Sequence, residues 1–264
     1  MALLVACAPE QEPPPEVPPQ AAAAVPAAAP AAVVPLAQRD TLRDQSFFTY
    51  TVEPTQTDLR LYNLDAQGRP HSFASVAQRA QAEGRQVALL MNGGMFQPDR
   101  RAQGLLILQG RQVQPLDTQT TGYGNFYLQP NGVFALDTAR RAYVVPTQRF
   151  DSLAEATAIA YATQSGPMLV VDSLVNPLFS DPSPNRHIRN GVGVTAEGRL
   201  VLAISEQEVT FFELAELFRQ HGCREALYLD GFVSRLYLPA LGVGSLAEGA
   251  RLGPLIAIFQ DPTH

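Results

Sequence analysis

Residues 199–231 read RLVLAISEQEVTFFELAELFRQHGCREALYLDG. Aliphatic runs near the two ends of this stretch predict strands over residues 199–204 and 226–229. Between these strands, Thr210 and Glu213 form a capping box, and the apolar residues that follow recur at the spacing of one helix face. A strand, a short helix and a second strand in this order favour the α+β class.

Outward from this unit, the sequence alternates short apolar runs with turn residues. These runs predict further strands over residues 59–64, 86–91, 104–108, 126–128, 132–136, 142–145, 168–171, 191–195 and 255–259. Two more helices are predicted over residues 73–83, after Ser72, and 154–158, after a capping box of Ser152 and Glu155. We therefore predict an α+β fold over residues 41–264: a single strand-rich domain with a mixed sheet and about three helices.

The first 40 residues differ from the rest in composition. Of the 29 residues from 8 to 36, ten are alanine and nine are proline, which predicts a disordered linker over residues 8–40 because this mixture cannot build a core. Residues 1–7 end in LVAC and resemble a bacterial lipobox, so Cys7 is the predicted lipidation site. The prediction is an exported protein of the cell envelope, on its periplasmic face or surface, that contacts the membrane through the lipid anchor only. A low-complexity cytoplasmic tail with an incidental Cys7 is the alternative.

The charged residues limit the classes of function. The net charge is −6, and all 19 basic residues are arginines. Without lysine there is no Schiff-base chemistry and no phosphate-loop lysine. An acidic chain without a basic tract is a poor ligand for nucleic acid, which we exclude as a partner. Arginine still suits a phosphate or carboxylate, so a small anionic substrate is allowed.

Three chemically reactive residues have structural interpretations that are stronger than catalytic ones. Glu213 is predicted to cap a helix, and His221 is predicted to be a cation at the end of the same helix. Cys223 precedes an apolar strand and is predicted to be a small buried residue. No histidine has a partner at a zinc-ligand spacing, so no metal site is predicted.

Two polar clusters place amide or hydroxyl groups beside glycines at strand ends. They are Asn92 with Gly93, and Ser165 with Gly166. Glycine lets the backbone approach a ligand closely, so both segments are candidates for substrate binding. Ordinary chain-reversing turns are the alternative, and Ser165 lacks the setting of an activated nucleophile.

Two further clusters carry charge. Arg186 and Arg189 precede a glycine-containing strand and suit a phosphate or carboxylate, with solvated loop charges as the alternative. Asp230 ends a wholly apolar strand, where burial and nearby arginines can tune its pKa; a turn-capping aspartate is the alternative. Glu206 is a second carboxylate at a strand end. If Glu206 and Asp230 faced one cleft, they would form the acid and base pair of a glycosidase.

Taken in order, the four clusters resemble the phosphodiester glycosidase family over about residues 48–259. The motifs that carry the resemblance are NGG at residues 92–94 with Phe96, SGP at 165–167, RNGVG at 189–193, and LDG at 229–231 with Ser234. The stretch GNFYLQPNGVFAL, residues 124–136, and the form RNGVG are similar to a bacterial branch of that family.

The resemblance implies hydrolysis of a sugar 1-phosphodiester or a related envelope glycoconjugate. Proton transfer is expected from Asp230, with Glu206 as a lower-ranked second carboxylate, and the phosphodiester charge is expected to meet Arg189, aided by Arg186. The residues expected to contact sugar or phosphate oxygens are Asn92, Gly93, Ser165, Gly166, Gly231 and Ser234. No cofactor is predicted, although a divalent cation such as calcium on Asp230 is an alternative use of that carboxylate.

One departure from the family pattern concerns the LDG motif. Phe232 and Val233 stand where the family usually has glycines. Larger side chains there would reshape the pocket, so the sugar stays open. They also favour a second interpretation, a non-catalytic glycan-binding module of the cell envelope. An accessory protein of envelope assembly is a third, supported by the linker alone.

Overall fold

The computed structural model describes residues 37–230, 233–247 and 252–261. Within these ranges the chain is strand-rich and has three α-helices, which confirms the predicted α+β class. Cys7, the lipobox, residues 8–36 of the linker, Gly231 and Phe232 lie outside the described residues.

The largest sheet has seven strands and carries most of the motif residues. In spatial order they are β1 (Ala37–Leu42), β2 (Gln45–Val52), β13 (Leu200–Ser205), β12 (Asn190–Thr195), β14 (Cys223–Tyr228), β10 (Met168–Val171) and β11 (Leu174–Val175). All neighbours in this sheet pair antiparallel. The start of β12 therefore lies beside the ends of β13 and β14, all on the same side of the sheet where these strands end.

Two smaller sheets complete the strand framework. The four-stranded sheet has the order β15 (Leu236–Tyr237), β4 (Gln86–Asn92), β16 (Leu255–Gln260) and β3 (Asp58–Tyr62). The five-stranded sheet has the order β6 (Arg111–Gln114), β5 (Leu106–Leu108), β9 (Ile159–Ser165), β7 (Gly132–Asp137) and β8 (Ala142–Pro146). Pairing in both sheets is antiparallel.

The main core is formed by side chains from all three sheets. Ile204 of the seven-stranded sheet, Met91 and Ile256 of the four-stranded sheet, and Phe134 of the five-stranded sheet are buried in one cluster. Because apolar area from three sheets is removed from water at one place, their relative positions are fixed by burial.

Each helix packs on one sheet and has its own smaller apolar cluster. Helix α1 (Phe73–Ala82) packs with the four-stranded sheet, α2 (Phe150–Ala156) with the five-stranded sheet, and α3 (Phe211–Gln220) with the seven-stranded sheet. The cap of α1 at Ser72 is confirmed.

The structural positions predicted for Glu213, His221 and Cys223 are confirmed. Thr210 and Glu213 form the capping box, in which the Thr210 amide donates to Glu213 Oε2 at 2.7 Å. His221 ends the helix, with its Nε2 at 3.2 Å from Asp40 Oδ2. Cys223 is buried, and burial raises the pKa of its thiol to about 12, so it is no nucleophile near neutral pH.

Two of the local predictions are wrong. Helix α2 begins at Phe150 after Arg149, which makes no side-chain cap, so the capping box of Ser152 and Glu155 does not form. Burial of Phe150 in the apolar cluster of the five-stranded sheet sets the first turn earlier. Residues 126–128 were predicted as a strand, but residues 126 and 127 lie in a 3₁₀ turn at Asn125–Tyr127 and Leu128 follows its end.

The sequence pattern also missed strands. Strand β2 lies between β1 and β13 although no strand was predicted for residues 45–52. Strand β1 begins at Ala37, inside the segment that composition assigned to the linker. Strand β9 covers residues 159–165, so Ser165 ends a buried strand that the pattern did not reveal. No helix of the described residues has the length and apolar character needed to cross a bilayer.

The glycines of RNGVG are explained by the packing of α3 on β12. A Cβ on Gly191 would lie 2.9 Å from the carbonyl oxygen of Leu227 and 2.9 Å from Phe218 Cε2. A Cβ on Gly193 would lie 2.7 Å from both Cys223 Sγ and Phe218 Cδ1. The helix can approach the sheet this closely only because both positions lack a side chain.

We expect Gly193→Ala to lower the free energy of unfolding by about 1–3 kcal/mol through overpacking. Adding Cys223→Ala removes Cys223 Sγ, one of the two nearest of the three atoms that the new methyl group would meet, so the double variant should lose less than the two single losses combined. Guanidinium chloride unfolding of the two single variants and the double variant measures this coupling. Strictly additive losses would contradict the close approach.

Candidate functional site

The three sheets meet at the strand ends that carry the polar motifs. Asn92 is the last residue of β4, Asn190 is the first of β12, and Ser165 is the last of β9. All three side chains are fully buried. Asp230, two residues after the end of β14, is only 6% exposed. The described residues of four separate sequence motifs are therefore gathered at one point.

Asn190 is the centre of this point. Its Nδ2 donates to the carbonyl oxygen of Asn92 at 2.8 Å and to Asn92 Oδ1 at 3.1 Å. Its Oδ1 accepts from the backbone amide of Asp230 at 2.9 Å, and its carbonyl oxygen accepts from the amide of Leu229. One amide side chain thus joins the four-stranded sheet to the seven-stranded sheet and fixes the start of the Asp230 loop.

Two serines hold the same loop through its carbonyl groups. Ser165 Oγ donates to the carbonyl oxygen of Leu229 at 2.7 Å, which joins the five-stranded sheet to the residue before Asp230. Ser234 Oγ donates to the carbonyl oxygens of Ile188, at 3.2 Å, and of Asp230. Both hydroxyl protons therefore serve the backbone, and the two serines position Asp230.

The side-chain nitrogen of Asn92, Nδ2, has no hydrogen-bond acceptor among the described residues. Its Oδ1 accepts from Asn190 Nδ2 and, at 2.8 Å, from the backbone amide of Arg235. These two donors fix the orientation of the amide, because the flipped form would bring Nδ2 against both of them. In the described part of the chain, Asn92 Nδ2 is buried and has no hydrogen-bond partner. It is one of four such buried side-chain atoms in the described residues, and it is the one that lies at the meeting point of the motifs, which makes it a candidate donor to a ligand or water oxygen.

The glycines of these motifs are required for close packing. A Cβ on Gly93 would lie 2.9 Å from Ile256 Cγ1, and one on Gly94 would lie 2.7 Å from Thr163 Oγ1. A Cβ on Gly166 would lie 2.7 Å from Asn131 Cβ. Neither Gly93 nor Gly166 has a positive φ, so their role is close approach.

Arg189 is buried and does not face solvent. Its guanidinium lies 3.7 Å from the centre of the Phe211 ring and donates to the carbonyl oxygen of Val209, to Tyr228 Oη and to two oxygens of Asn185. Four of its five N–H directions are thereby used. Burial lowers the pKa of Arg189 from its ordinary value, with Tyr228 opposing the shift. The residue orders the protein interior beside the site.

Tyr228 links this buried arginine electrostatically to Asp230. Burial raises the pKa of Tyr228 well above its usual range, and the charge of Asp230 raises it further. Arg189 and a hydrogen bond with the Asn125 side chain act in the opposite direction. The Tyr228 hydroxyl therefore stays protonated near neutral pH while it accepts a hydrogen bond from Arg189 at 3.2 Å.

Two predicted site residues are engaged elsewhere. Arg186 pairs with Glu213 at the start of α3, at 3.2 Å. Glu206 pairs with Arg39 of β1 at 2.5 Å. Glu206 follows the end of β13, and Asp230 follows the end of β14. Strand β12 lies between these two strands, so they are about 10 Å apart. The pairing of Glu206 with Arg39 weakens the two-carboxylate hypothesis.

Sequence reasoning missed three residues of this region. Asn190 stood within the RNGVG motif but was treated only as part of the resemblance. Gln164 is fully buried and bonds the backbone of Leu105 and Asp117. Arg235 is exposed, and its backbone amide is held by Asn92. The one available signal was that these residues adjoin the motifs.

Among the described residues, no three histidine, cysteine, aspartate or glutamate side chains lie close enough to hold a metal ion. Gly231, predicted as a substrate contact, lies outside those residues.

Comparison with known proteins identifies a family and a relative that this chain resembles in sequence. The phosphodiester glycosidase family model matches residues 85–248. An uncharacterized Escherichia coli protein, YigE, is 32% identical over 195 residues, which cover 72% of this chain and 73% of the relative.

Solved structures share the fold at low sequence identity. The catalytic domain of zebrafish N-acetylglucosamine-1-phosphodiester α-N-acetylglucosaminidase, auto-inhibited by its pro-peptide, matches with a TM-score of 0.58 at 13% identity over 86% of this chain and 84% of that chain. A protein from Burkholderia pseudomallei matches with a TM-score of 0.55 at 13% identity over 81% and 74% of the two chains.

We expect Asn190→Ala to accelerate amide hydrogen exchange at Asp230 and Arg235. The first amide loses its acceptor directly, and the second is released when Asn92 loses its bond to Asn190. Asn176→Ala is the matched control, since Asn176 is a buried asparagine that bonds Met168 and Leu178 instead. Each variant should lose about 1–3 kcal/mol of unfolding free energy. Equal exchange at Asp230 in both variants, followed by NMR, would show that Asn190 does not hold the loop.

Proposed function

Because the chain belongs to the phosphodiester glycosidase family, we propose that it hydrolyses a sugar 1-phosphodiester or a related envelope glycoconjugate, with Asp230 as the catalytic residue. The observation that carries this proposal is the meeting of Asn92, Asn190 and Asp230 at one junction of three sheets. A rigid setting of this kind keeps a carboxylate in position for proton transfer.

The proposed reaction breaks the bond between the sugar C1 and the phosphate oxygen. Water adds to C1, the bonding electron pair leaves with the phosphate, and the proton from water passes to Asp230 and then to solvent. The products are the free sugar and a phosphomonoester. A phosphomonoester leaving group has a pKa of about 6, so it departs without protonation by a second acid. One carboxylate is then sufficient, which agrees with Glu206 being paired to Arg39.

We assign the charge of the phosphodiester to Arg235 in preference to Arg189. Arg235 is exposed, and its guanidinium donates to the carbonyl oxygen of Ser234 at 2.8 Å, whereas the guanidinium of Arg189 is fully buried and makes four hydrogen bonds to protein oxygens. The backbone of Arg235 is fixed by Asn92, whose remaining donor, Nδ2, would hydrogen-bond a substrate oxygen. A guanidinium suits a phosphodiester because it can donate two parallel hydrogen bonds.

Asp230→Asn is expected to lower turnover of a sugar 1-phosphodiester at least about 100-fold, because a neutral amide cannot accept the proton. Asp151→Asn, an exposed aspartate in α2, is the matched control and should keep full activity. Release of free sugar from a panel of sugar 1-phosphodiesters is the measurement. Turnover that survives in Asp230→Asn would remove Asp230 from the mechanism.

Arg235→Ala is expected to raise KM for the phosphodiester about tenfold or more, the effect of losing one charge-assisted contact. Arg111→Ala removes another exposed arginine, in the edge strand β6, and should leave KM unchanged. Steady-state kinetics at two salt concentrations separate a local contact from a general loss of positive charge. An equal effect of both substitutions would refute the assignment.

A non-catalytic glycan-binding module is the second candidate function. It is favoured by Val233, which replaces a family glycine and packs against the apolar cluster that contains Phe73. Saturable binding of a sugar 1-phosphodiester without release of sugar would establish this function in place of hydrolysis.

We further propose that the domain is exported and tethered to the cell envelope through Cys7 and the linker of residues 8–36. Support comes from the LVAC sequence and from the proline and alanine content. A radiolabelled fatty acid supplied to an expressing bacterium should label the wild type and spare Cys7→Ser. Equal labelling of the two chains would exclude the anchor.

A further inference from the structure

An exposed loop beside the candidate site has a fixed base and an aromatic residue near its end. We call residues 117–127 the aromatic loop. Residues 118–124 are all exposed, and Tyr123 is 99% exposed. Both faces of the Tyr123 ring are therefore accessible to a ligand.

The base of the aromatic loop is closed by hydrogen bonds. The buried Gln164 accepts from the amide of Asp117 at 2.9 Å and donates to the carbonyl oxygen of Asp117 at 2.7 Å. Tyr127 Oη donates to Asp117 Oδ2 at 3.0 Å and joins the two ends of the loop. Compact loops with joined ends are frequently functional.

Glycines on either side of Tyr123 shape the end of the loop. A Cβ on Gly122 would lie 2.3 Å from the Tyr127 ring, so the backbone there passes directly over that ring. Gly124 has φ of 90°, a conformation that side chains other than hydrogen strongly disfavour. The backbone on both sides of Tyr123 is therefore restrained, although its ring is exposed.

The aromatic loop connects to the candidate site at two points. A Cβ on Gly166, which follows Ser165, would lie 2.8 Å from the carbonyl oxygen of Phe126 at the end of the loop. Gln164, which closes the base, immediately precedes Ser165, the residue that holds the carbonyl group of Leu229. Tyr123 precedes Asn125 by only two residues, so it is close in the chain to the end of the loop that lies at the site.

The composition of the aromatic loop selects the chemistry of its ligand. No charged residue occurs from 118 to 136, and the exposed part reads TQTTGYG. Hydroxyl and amide groups beside an aromatic face suit a neutral sugar ring, which offers hydroxyl groups and apolar C–H faces. They do not suit a phosphate, which calls for arginine.

We propose that the aromatic loop binds the neutral sugar ring of the substrate, with Tyr123 as the residue on which the ring stacks. The inference rests on the proposed function only in calling this sugar part of the substrate. Different residues would then recognise the two parts of the substrate: Tyr123 would bind the sugar, and Arg235 would bind the phosphodiester.

The chain has no tryptophan, which permits a binding test that does not require turnover. In Tyr123→Trp the new indole is the sole tryptophan fluorophore. Its emission should change saturably with a methyl glycoside of glucose, galactose or N-acetylglucosamine, or with the corresponding sugar 1-phosphate. Glycerol 3-phosphate, which has the charge but no sugar ring, should cause no change. Leu174→Trp is the control, because Leu174 is 71% exposed in strand β11.

A kinetic test accompanies the fluorescence. Tyr123→Ala should raise KM for a hydrolysed sugar 1-phosphodiester about five- to tenfold, with kcat within twofold of wild type, and Tyr123→Phe should retain most of the affinity. No fluorescence response at position 123, or an equal response at position 174, would overturn the inference, and so would an unchanged KM in Tyr123→Ala. A response at position 123 in a protein that hydrolyses no phosphodiester would uphold sugar binding by the loop and refute the proposed hydrolysis.

Discussion

The hydrogen bonds of the Asn190 side chain are the constraint on which the site depends. This one amide satisfies the carbonyl oxygen and side-chain oxygen of Asn92 and the backbone amide of Asp230. In a buried setting each of these groups would be costly to leave unpaired, so the two sheets can pack here only in the arrangement that pairs them. A neutral amide supplies this geometry without the desolvation cost that a buried ion pair would bring.

Burial also separates the structural arginine from the arginine proposed to contact ligand. Arg189 lies between aromatic rings and protein oxygens, where it holds the segment before β12. Within the described residues it has no carboxylate within ion-pair distance. Its positive charge therefore acts on Tyr228 and on the local field, while Arg235 remains at the surface. In the proposed reaction, negative charge develops on phosphate, and Arg235 is the arginine proposed to contact it.

Periodicity predicted the parts of the fold that depend on local sequence. Helix α3 was predicted well because its cap, apolar face and end signal all lie within about a dozen residues. Strand β9 was missed because its buried polar residues, Thr163, Gln164 and Ser165, break the apolar pattern while pairing in the sheet. Phe126 was read as part of a strand because an aromatic residue is typical of one, yet its backbone turns where Asn131 bonds its carbonyl group.

The candidate site shows the same division between local and long-range information. The motifs identified Asn92, Ser165 and Asp230 from residue type and position at strand ends, and the fold brings all three to one junction. The partners of Glu206 and Arg186 could not be predicted in this way. Arg39 is 167 residues from Glu206 in sequence, and the register of β1, β2 and β13 alone brings them together.

A division of labour across the site follows from its charges. The aromatic loop is neutral, whereas charge is concentrated at Asp230 and Arg235 on the segment after β14. A substrate with a neutral sugar and an anionic phosphodiester has the same asymmetry, so it can bind in only one orientation. In the proposed binding mode, the bond between the two parts is the one on which Asp230 acts. Val233 packs against the apolar cluster that contains Phe73, away from the hydrogen bonds of Asn190, so a larger residue at this position leaves those bonds intact.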